Sequence, residues 1–195
     1  MRDISLWPDQ IVLEPVGRNT APAVAIAALL AAARNPDSVI ALFPSDHVVN
    51  NVMAFDNALD RAIAGAEMGL IVTFGISPSA PETGYGYIEQ GEAVAEVDSL
   101  YRVRRFVEKP DRKTAEGYLA KGGYSWNSGM FVFRADVMLA ELEKYCPELL
   151  AHARKALDGA KKEEATILLE ESAFGASPNI SIDYAIMEKT DRAAM

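Results

Sequence analysis

The sequence predicts an α/β fold with a Rossmann-like, mostly parallel sheet. A continuous apolar run at residues 39–43 and a mainly apolar run at residues 70–76 have the composition of strands that are buried on both faces. Between them, the apolar residues from 55 to 66 recur at helical spacing, and Gly69 ends that helix. Strand–helix–strand order of this kind is typical of a parallel sheet with right-handed crossovers.

The first part of the chain predicts a strand, a turn and a helix. Residues 11–14 form a short apolar run that ends in a turn at 15–19. Thr20 is a candidate helix cap, and Pro22 suits the first turn of an alanine-rich helix that continues to Ala33. This helix precedes the predicted strand at residues 39–43 and extends the alternation of strands and helices.

After residue 77 the predicted elements are shorter. Residues 85–89 and 101–108 have strand character, and a turn-rich polar stretch separates them. A short helix is expected after Asp111, ending at Gly122 and Gly123. Residues 124–133 predict two strand segments on either side of a Ser-Gly loop.

The last third predicts mainly helices. The pattern from 135 to 171 is helical, with Pro147 starting a second helix, and the lysine–glutamate run at 161–164 predicts an exposed surface. Ser181 is expected to cap a final helix. Because no repeat, linker or change of composition divides the chain, residues 1–195 are expected to form a single domain.

Composition and charge exclude several classes of function. Half of the 195 residues are hydrophobic, enough for a substantial core, and no apolar run is long enough to span a bilayer. The net charge is −9 and no basic stripe is present, which argues against a nucleic-acid platform. A phosphorylated ligand would therefore depend on local cations, backbone N–H groups or a bridging metal.

The N-terminal sequence and the cysteine content predict a cytoplasmic protein. Residues 1–8 contain one arginine and no long apolar stretch, so they do not resemble a secretion signal. Cys146 is the single cysteine, which excludes an intramolecular disulfide and fits a reducing compartment. It is interpreted as a partly buried thiol at a helix end.

Asp46 is the first candidate site residue. It follows a predicted buried strand, and ligands of open α/β sheets bind outside the carboxyl ends of such strands. A carboxylate there can hold a divalent cation that bridges phosphate oxygens. On this feature alone, a turn or helix-cap aspartate is the simpler interpretation, as a structural imidazole is for His47.

The segment from Gly84 to Glu89 contains two closely spaced glycines. It lacks the third glycine of a dinucleotide-binding fingerprint, since Glu89 stands at that position, and no strand-to-helix turn is predicted there. The glycines either let the backbone approach a ligand closely or relieve a tight bend.

Glu108, Lys109 and Asn127 have side chains suited to a sugar phosphate. Glu108 can accept hydrogen bonds from sugar hydroxyls while Lys109 meets a phosphate, although the pair can equally be a solvated ion pair. Asn127 offers two donors and an acceptor, but an Asn-Ser-Gly turn needs no ligand. Earlier in the chain, Arg18 stands beside a predicted helix N-terminus, which suits an anion or a nucleotide.

Six segments, in this order along the chain, carry a family resemblance. They are Glu14-Pro-Val-Gly-Arg-Asn-Thr-Ala-Pro-Ala23, Phe43-Pro-Ser-Asp-His47, Thr83-Gly-Tyr-Gly-Tyr-Ile88, Phe106-Val-Glu-Lys-Pro110, Trp126-Asn-Ser-Gly-Met-Phe131 and Ser181-Ile-Asp-Tyr-Ala185. Together they closely resemble the bacterial GDP-mannose pyrophosphorylases, which are sugar nucleotidyltransferases, over nearly the whole chain. The Gly-Arg-Asn-Thr-Ala-Pro part points to the mannose-1-phosphate guanylyl branch.

The resemblance implies a nucleotidyltransferase fold of the GT-A-like type and a role in GDP-mannose and polysaccharide biosynthesis. The implied reaction transfers GMP from GTP to mannose 1-phosphate and releases pyrophosphate. An oxygen of the sugar phosphate would attack the α-phosphorus in line, with Mg²⁺ neutralising the developing charge.

The resemblance also implies roles for individual residues. Asp46 would be the metal ligand, and Asp46 and Lys109 would act in catalysis. The residues implied to contact mannose 1-phosphate are Gly84, Tyr85, Glu108, Lys109, Asn127 and Asp183. Those implied to lie on the guanosine side are Glu14, Arg18, Asn19 and Thr20.

Compared with the family pattern, the sequence is expected to be truncated at both ends. The family's first strand and its glycine-rich loop, whose arginine and lysine hold the triphosphate, do not occur in it, and neither does the downstream aspartate of the metal site. The chain as given is therefore expected to be inactive. An uncovered strand edge invites pairing with another copy, for which a homodimer is one outcome.

Two other interpretations stay open. Another sugar-1-phosphate nucleotidyltransferase would share Asp46 and the Glu108–Lys109 pair, so these residues do not identify the base or the sugar. A non-catalytic binding or regulatory module would keep the fold without the chemistry. The missing loop favours that second alternative, and the intact sugar-side segments oppose it.

Overall fold

The computed structural model describes residues 7–195, so most of the stretch used to argue against a secretion signal lies outside the described residues. The strands are β1 (Ile11–Leu13), β2 (Val39–Leu42), β3 (Ile71–Ile76), β4 (Tyr87–Ala93), β5 (Tyr101–Val107), β6 (Tyr124–Arg134), β7 (Lys161–Glu163), β8 (Thr166–Leu168) and β9 (Ala193–Ala194). The helices are α1 (Thr20–Arg34), α2 (Val52–Glu67), α3 (Arg112–Lys121), α4 (Ala135–Tyr145), α5 (Pro147–Asp158), α6 (Glu171–Gly175) and a π-helical turn, Asp183–Met187.

These strands form two sheets, and the predicted α/β class is confirmed. The large sheet has the strand order β2-β6-β3-β9-β5-β4, with a further pairing between β6 and β4. The small sheet has the order β1-β8-β7. No helix in residues 7–195 has both the length and the apolar character needed to cross a membrane.

The prediction that neighbouring strands pair in parallel is wrong for most of the large sheet. β2 and β3 run in the same direction, as expected for strands joined by α2, but β6 lies between them and is antiparallel to both. At 11 residues, β6 is long enough to pair with β2 and β3 at one end and with β4 at the other. A strand from later in the chain therefore fills the gap that the crossover leaves.

The prediction that β2 is buried on both faces is also wrong. Its residues are half-buried apart from Ala41, which is exposed. The reason is its place at the edge of the large sheet, where β6 is its partner within the described range. In β3, by contrast, the first three residues are buried and the last two are exposed, toward the end where the chain turns away.

Two helix predictions need correction. Residues 161–168, expected to be helical, form the hairpin β7–β8, with Glu164 in its turn at a φ of 49°. A three-residue strand is too short to establish a period of two, and β8 is held by parallel pairing with the distant β1. The helix expected after Ser181 is a five-residue π-helical turn.

The core has a layer on each face of the large sheet. Along β6, Phe131 and Phe133 pack into the cluster that contains residues of α1, α4 and α5, whereas Val132 packs with residues of α2 on the opposite face. This alternation is the period of two expected for a strand between two helical layers. Each large apolar side chain buried in this way contributes about 1.5–3 kcal/mol to the stability of the fold.

Candidate functional site

A cleft of about 790 Å³ opens where the partners of β6 change. Trp126 of β6 is opposite both Ile76, the last residue of β3, and Tyr87, the first residue of β4. The cleft is thus built where one strand ends and another begins along β6. It matches the general rule that ligands of α/β proteins bind where strand ends diverge.

The structure brings together every residue implied to bind the sugar phosphate. The cleft is lined by all six residues of that set and by Asp46, the implied metal ligand: Gly84, Tyr85, Glu108, Lys109, Asn127, Asp183 and Asp46. They come from five separate parts of the chain, and the fold places them on one surface. Their proximity supports the grouping made from the sequence, while their individual roles remain predictions.

Glu108 and Lys109 form an ion pair that is buried on one side. The distance between Glu108 Oε1 and Lys109 Nζ is 3.3 Å, and the side chains are 7% and 57% exposed respectively. Burial raises the pKa of Glu108, and repulsion from Asp183 and Glu188 acts in the same direction, while Lys109 opposes it. The pair is therefore not the fully solvated one considered from the sequence.

Two hydrogen bonds hold the backbone of Glu108 and Lys109 at the end of β5. Lys109 has a φ of 47°, a left-handed conformation that is uncommon for a lysine. Its N–H donates to the carbonyl oxygen of Tyr85 at 3.2 Å. The N–H of Glu108 donates to Glu188 Oε1 at 2.9 Å. These contacts hold the conformation that places both side chains in the cleft.

Gly86 is required for the close packing of the cleft wall. A Cβ at this position would lie 2.7 Å from Glu108 Oε2 and 3.3 Å from Asn127 Cβ. At Gly84 a Cβ would meet no protein atom within 4 Å, although this residue lines the cleft. Gly86 is therefore in close contact with protein side chains, which neither interpretation of the glycine pair described, and close approach of the backbone to a ligand stays a prediction.

Asn127 lies within β6 rather than in the predicted loop. Gly129 adopts a φ of 73°, and this allows the strand to continue through a Ser-Gly sequence that usually forms a turn. The Asn127 amide nitrogen donates to Asp183 Oδ1 at 3.0 Å. Its amide oxygen accepts from Thr73 Oγ1 at 2.7 Å and from the N–H of Gly129 at 3.3 Å.

Asp183 is the second carboxylate of the inner cleft. Burial raises its pKa, while hydrogen bonds from its own backbone, Ser181 and Asn127 and the charge of Lys109 all act to lower it. The inner cleft therefore contains two partly desolvated carboxylates, one amide and one ammonium. Such a set can accept hydrogen bonds from hydroxyl groups and can bind a single anionic group.

Asp46 lies at the outer part of the cleft, beyond the end of β2. It is exposed, and within residues 7–195 no ion pair involves it. The same range holds no group of three or more His, Cys, Asp or Glu side chains arranged to bind a metal. A cation at Asp46 would therefore complete its coordination with water and ligand oxygens, an arrangement that Mg²⁺ commonly adopts with phosphates.

The residues implied to lie on the guanosine side form a separate group. The described lining of the cleft does not include Glu14, Arg18, Asn19 or Thr20. Asn19, and not Thr20 as predicted, caps α1: its side chain accepts from the N–H of Thr20 at 2.9 Å. Arg18 donates to the carbonyl oxygen of Gly175. Burial raises the pKa of Glu14.

A short segment connects this group to the cleft. Thr20 Oγ1 accepts from the N–H of Ile182 at 2.9 Å, and the N–H of Ala21 donates to the carbonyl oxygen of Ile180 at 3.1 Å. Ile182 directly precedes Asp183. The N-terminus of α1 is thus fixed relative to a carboxylate of the cleft.

Comparisons with known proteins show the family of this chain. The profile of the nucleotidyl transferase family matches residues 2–172. The xanthan biosynthesis protein XanB of Xanthomonas campestris pv. campestris is 49% identical over 195 residues, which are 100% of this chain and 41% of that protein. A mannose-1-phosphate guanylyltransferase of Klebsiella pneumoniae is 46% identical over 196 residues, which are 100% of this chain and 42% of that protein.

A solved structure gives the same result at the level of the fold. The crystal structure of mannose-6-phosphate isomerase from Helicobacter pylori matches with a TM-score of 0.87 and 34% identity, over 95% of this chain and 70% of that one. The chain spans about two fifths of the length of the curated relatives it matches. Because the family profile covers most of the sequence, the nucleotidyltransferase fold expected from the resemblance is confirmed, and the chain belongs to the nucleotidyl transferase family.

Proposed function

We propose that this chain forms the sugar-phosphate side of a mannose-1-phosphate guanylyltransferase. In the proposed reaction, an oxygen of mannose 1-phosphate attacks the α-phosphorus of GTP and the bond to the β-phosphate oxygen breaks. The products are GDP-mannose and pyrophosphate. The observation that carries the proposal is that all seven residues assigned to the sugar phosphate and the metal line one cleft.

The chemistry of the cleft suits a hexose phosphate. Glu108 and Asp183 can accept hydrogen bonds from sugar hydroxyls, and the Asn127 amide can donate to a hydroxyl oxygen. Lys109 supplies a charge for the phosphate at the exposed end of the ion pair. Because the Glu108 side chain is almost fully buried, a ligand that lacks the matching hydroxyl would leave Lys109 as the partner of this carboxylate and part of its accepting capacity unsatisfied.

Asp46 is proposed as a ligand for Mg²⁺. When bound, the cation would neutralise charge that develops on the phosphate oxygens. The attacking phosphate is already ionised, so the chain's own residues have mainly to bind and orient it. Glu14, Arg18, Asn19 and Thr20 are proposed to act on the guanosine side, outside the cleft, with α1 fixed to Ile182 by the Thr20 hydrogen bond.

The proposal also covers the cellular location and the oligomeric state of the protein. The single cysteine, Cys146, supports a cytoplasmic location, and burial raises the pKa of its thiol, as expected of an inert side chain. The edge of the large sheet at β2 can pair with a second copy, and a homodimer through this edge is proposed.

Calorimetry with the 195-residue chain tests the sugar specificity directly. Mannose 1-phosphate is expected to bind at least about tenfold more tightly than mannose 6-phosphate or glucose 1-phosphate, a difference of about 1.4 kcal/mol. Pyrophosphate release from GTP, mannose 1-phosphate and Mg²⁺, measured with a version extended to the full length of the relatives, tests the reaction. A preference for glucose 1-phosphate in both assays would contradict the proposal and favour another sugar nucleotidyltransferase.

A further inference from the structure

Thr73 is a buried polar residue directly behind the cleft. It lies on β3, is 1% exposed and is not one of the cleft-lining residues. Its Oγ1 lies 2.7 Å from Asn127 Oδ1 and 2.9 Å from the carbonyl oxygen of Met130. A threonine hydroxyl has one proton to donate, so these two oxygens share it.

The β3–β6 ladder is irregular at this point. Its register shifts between Thr73 and Gly75, opposite the segment that contains Asn127 and Gly129. Because of this irregularity, Asn127 Oδ1 and the carbonyl oxygen of Met130 both come within reach of one hydroxyl.

The hydrogen bond from Thr73 matters because an asparagine amide has two nearly isosteric orientations. The N–H of Gly129, which can only donate, is directed at one atom of the Asn127 amide, and the Asp183 carboxylate, an acceptor when ionised, faces the other. Together they identify the first atom as the oxygen, and the hydroxyl of Thr73 donates to it. The amide nitrogen then faces Asp183 and donates one of its two protons to it. The second N–H has no acceptor among the hydrogen bonds of residues 7–195.

We propose that Thr73 is a positioning residue that fixes the orientation of the Asn127 amide, so that its second N–H is offered to a hydroxyl oxygen of the sugar. This inference rests on the proposed function, because it names the group that the sugar meets. Without the hydroxyl, the amide oxygen keeps the longer bond from Gly129. Rotated conformers, which bring the amide oxygen toward the Asp183 carboxylate, then become more populated.

The test compares Thr73→Val with Thr73→Ser in a full-length version of the enzyme. Valine keeps the shape and removes the donor, whereas serine keeps the donor. Thr73→Val is expected to raise KM for mannose 1-phosphate about tenfold and to leave KM for GTP within about twofold, since one buried hydrogen bond is lost. Thr73→Ser is expected to stay within about threefold of the unaltered enzyme in both constants.

An Asn127→Ala background separates positioning from a purely structural role. In that background Thr73→Val is expected to change KM for mannose 1-phosphate by less than about twofold, because the amide it orients is gone. Equal losses with GTP and the sugar phosphate, or an undiminished effect in that background, would overturn the inference. If Thr73→Val does not fold, Thr73→Ala, which also removes the donor, replaces it under the same expectations.

The same experiment distinguishes the inference from the proposed function. If the unaltered full-length enzyme does not use mannose 1-phosphate, the proposed function fails, and the inference fails with it. If the enzyme uses mannose 1-phosphate and Thr73→Val matches Thr73→Ser, only the inference is overturned.

Discussion

The backbone N–H of Glu108 donates a hydrogen bond to Glu188 Oε1 at 2.9 Å, although the two residues are 80 positions apart. Glu188 directly follows the π-helical turn that begins with Asp183. The contact therefore joins the two segments that supply the carboxylates of the cleft. It also lies next to Lys109, whose left-handed backbone needs support from its surroundings.

Removal of the Glu188 side chain should make the backbone at Glu108 and Lys109 less rigid. Glu188→Ala is expected to raise KM for mannose 1-phosphate about five- to tenfold, because the end of β5 loses one of the two bonds that fix it. Glu188→Gln keeps an acceptor oxygen and should have the smaller effect. Steady-state kinetics on both variants checks this. Equal effects of the two would mean that the charge, and not the hydrogen bond, is what matters.

Gly86→Ala should damage the wall of the cleft. The added Cβ would lie 2.7 Å from Glu108 Oε2, so the carboxylate must shift, at a cost of about 1–3 kcal/mol in binding or stability. Gly117→Ala is the matched control, because its Cβ meets nothing within 4 Å and it lies inside α3, where alanine is the better helix former. Calorimetry with mannose 1-phosphate should show weakened binding for the first variant and unchanged binding for the second.

Gly84 and Gly86 show which part of the site could not be predicted from the sequence. The motif around Gly86 lines the cleft, and glycines that permit close approach are visible in a sequence as residue types. Which glycine meets Glu108 depends on the pairing of β4 with β6, and that pairing is set by a strand almost 40 residues later. The same non-local pairing made the parallel-sheet prediction wrong, and Thr73 carried no sequence signal that could have singled it out.

Predictions from the sequence were correct where residues close together in the chain determine the structure. The helix after Asp111 begins as predicted, since the Asp111 side chain accepts from the N–H of Thr114 at 2.8 Å. Its end at Gly122 and Gly123 follows from two residues with positive φ. The hairpin at 161–168 was missed because its partner, β1, is about 150 residues away along the chain.

The raised pKa values of Glu108 and Asp183 predict opposite effects of pH on stability and on binding. A folded-state pKa above the unfolded value means that the folded chain holds more protons, so stability decreases as pH rises from the ordinary value through the raised one. Glu108→Gln and Asp183→Asn should therefore melt at higher temperature than the parent at pH 8 and lose that advantage near pH 4. Thermal unfolding across this range measures it.

Sugar binding should follow the opposite trend. A hydroxyl donates its proton more strongly to an ionised carboxylate, so affinity for mannose 1-phosphate should increase as pH rises through the raised pKa values. Calorimetry at several pH values, with Glu108→Gln as the control, checks this. A variant without the titrating carboxylate should show a flatter dependence, and an equally steep one would assign the effect to another group.

Asp46→Asn should separate metal binding from folding. The amide keeps the shape of the side chain and removes the charge that attracts a hard cation. Because Asp46 is exposed and outside the core, the melting temperature should not change measurably. In a full-length version, Mg²⁺-dependent turnover should decrease at least about a hundredfold. Near-normal turnover would make Asp46 a turn residue.

The charge in the cleft leads to the last prediction, which concerns GTP. Among the described residues that line the cleft, Lys109 is the one with a full positive charge, and its ammonium is already paired with Glu108. Asp46 and Asp183 add negative charge nearby, and the chain as a whole carries −9. A triphosphate needs several cations or oriented N–H groups, so this surface should repel it more than it repels a monophosphate.

The 195-residue chain is therefore expected to bind mannose 1-phosphate but to bind GTP only weakly, and to release no pyrophosphate when given both with Mg²⁺. Calorimetry and a pyrophosphate-release assay check both statements, with a version extended to the length of the relatives as the positive control. Turnover within about tenfold of that control would contradict the prediction. The activation free energies of the two proteins would then differ by no more than about 1.4 kcal/mol, and another surface of the chain would have to bind the triphosphate.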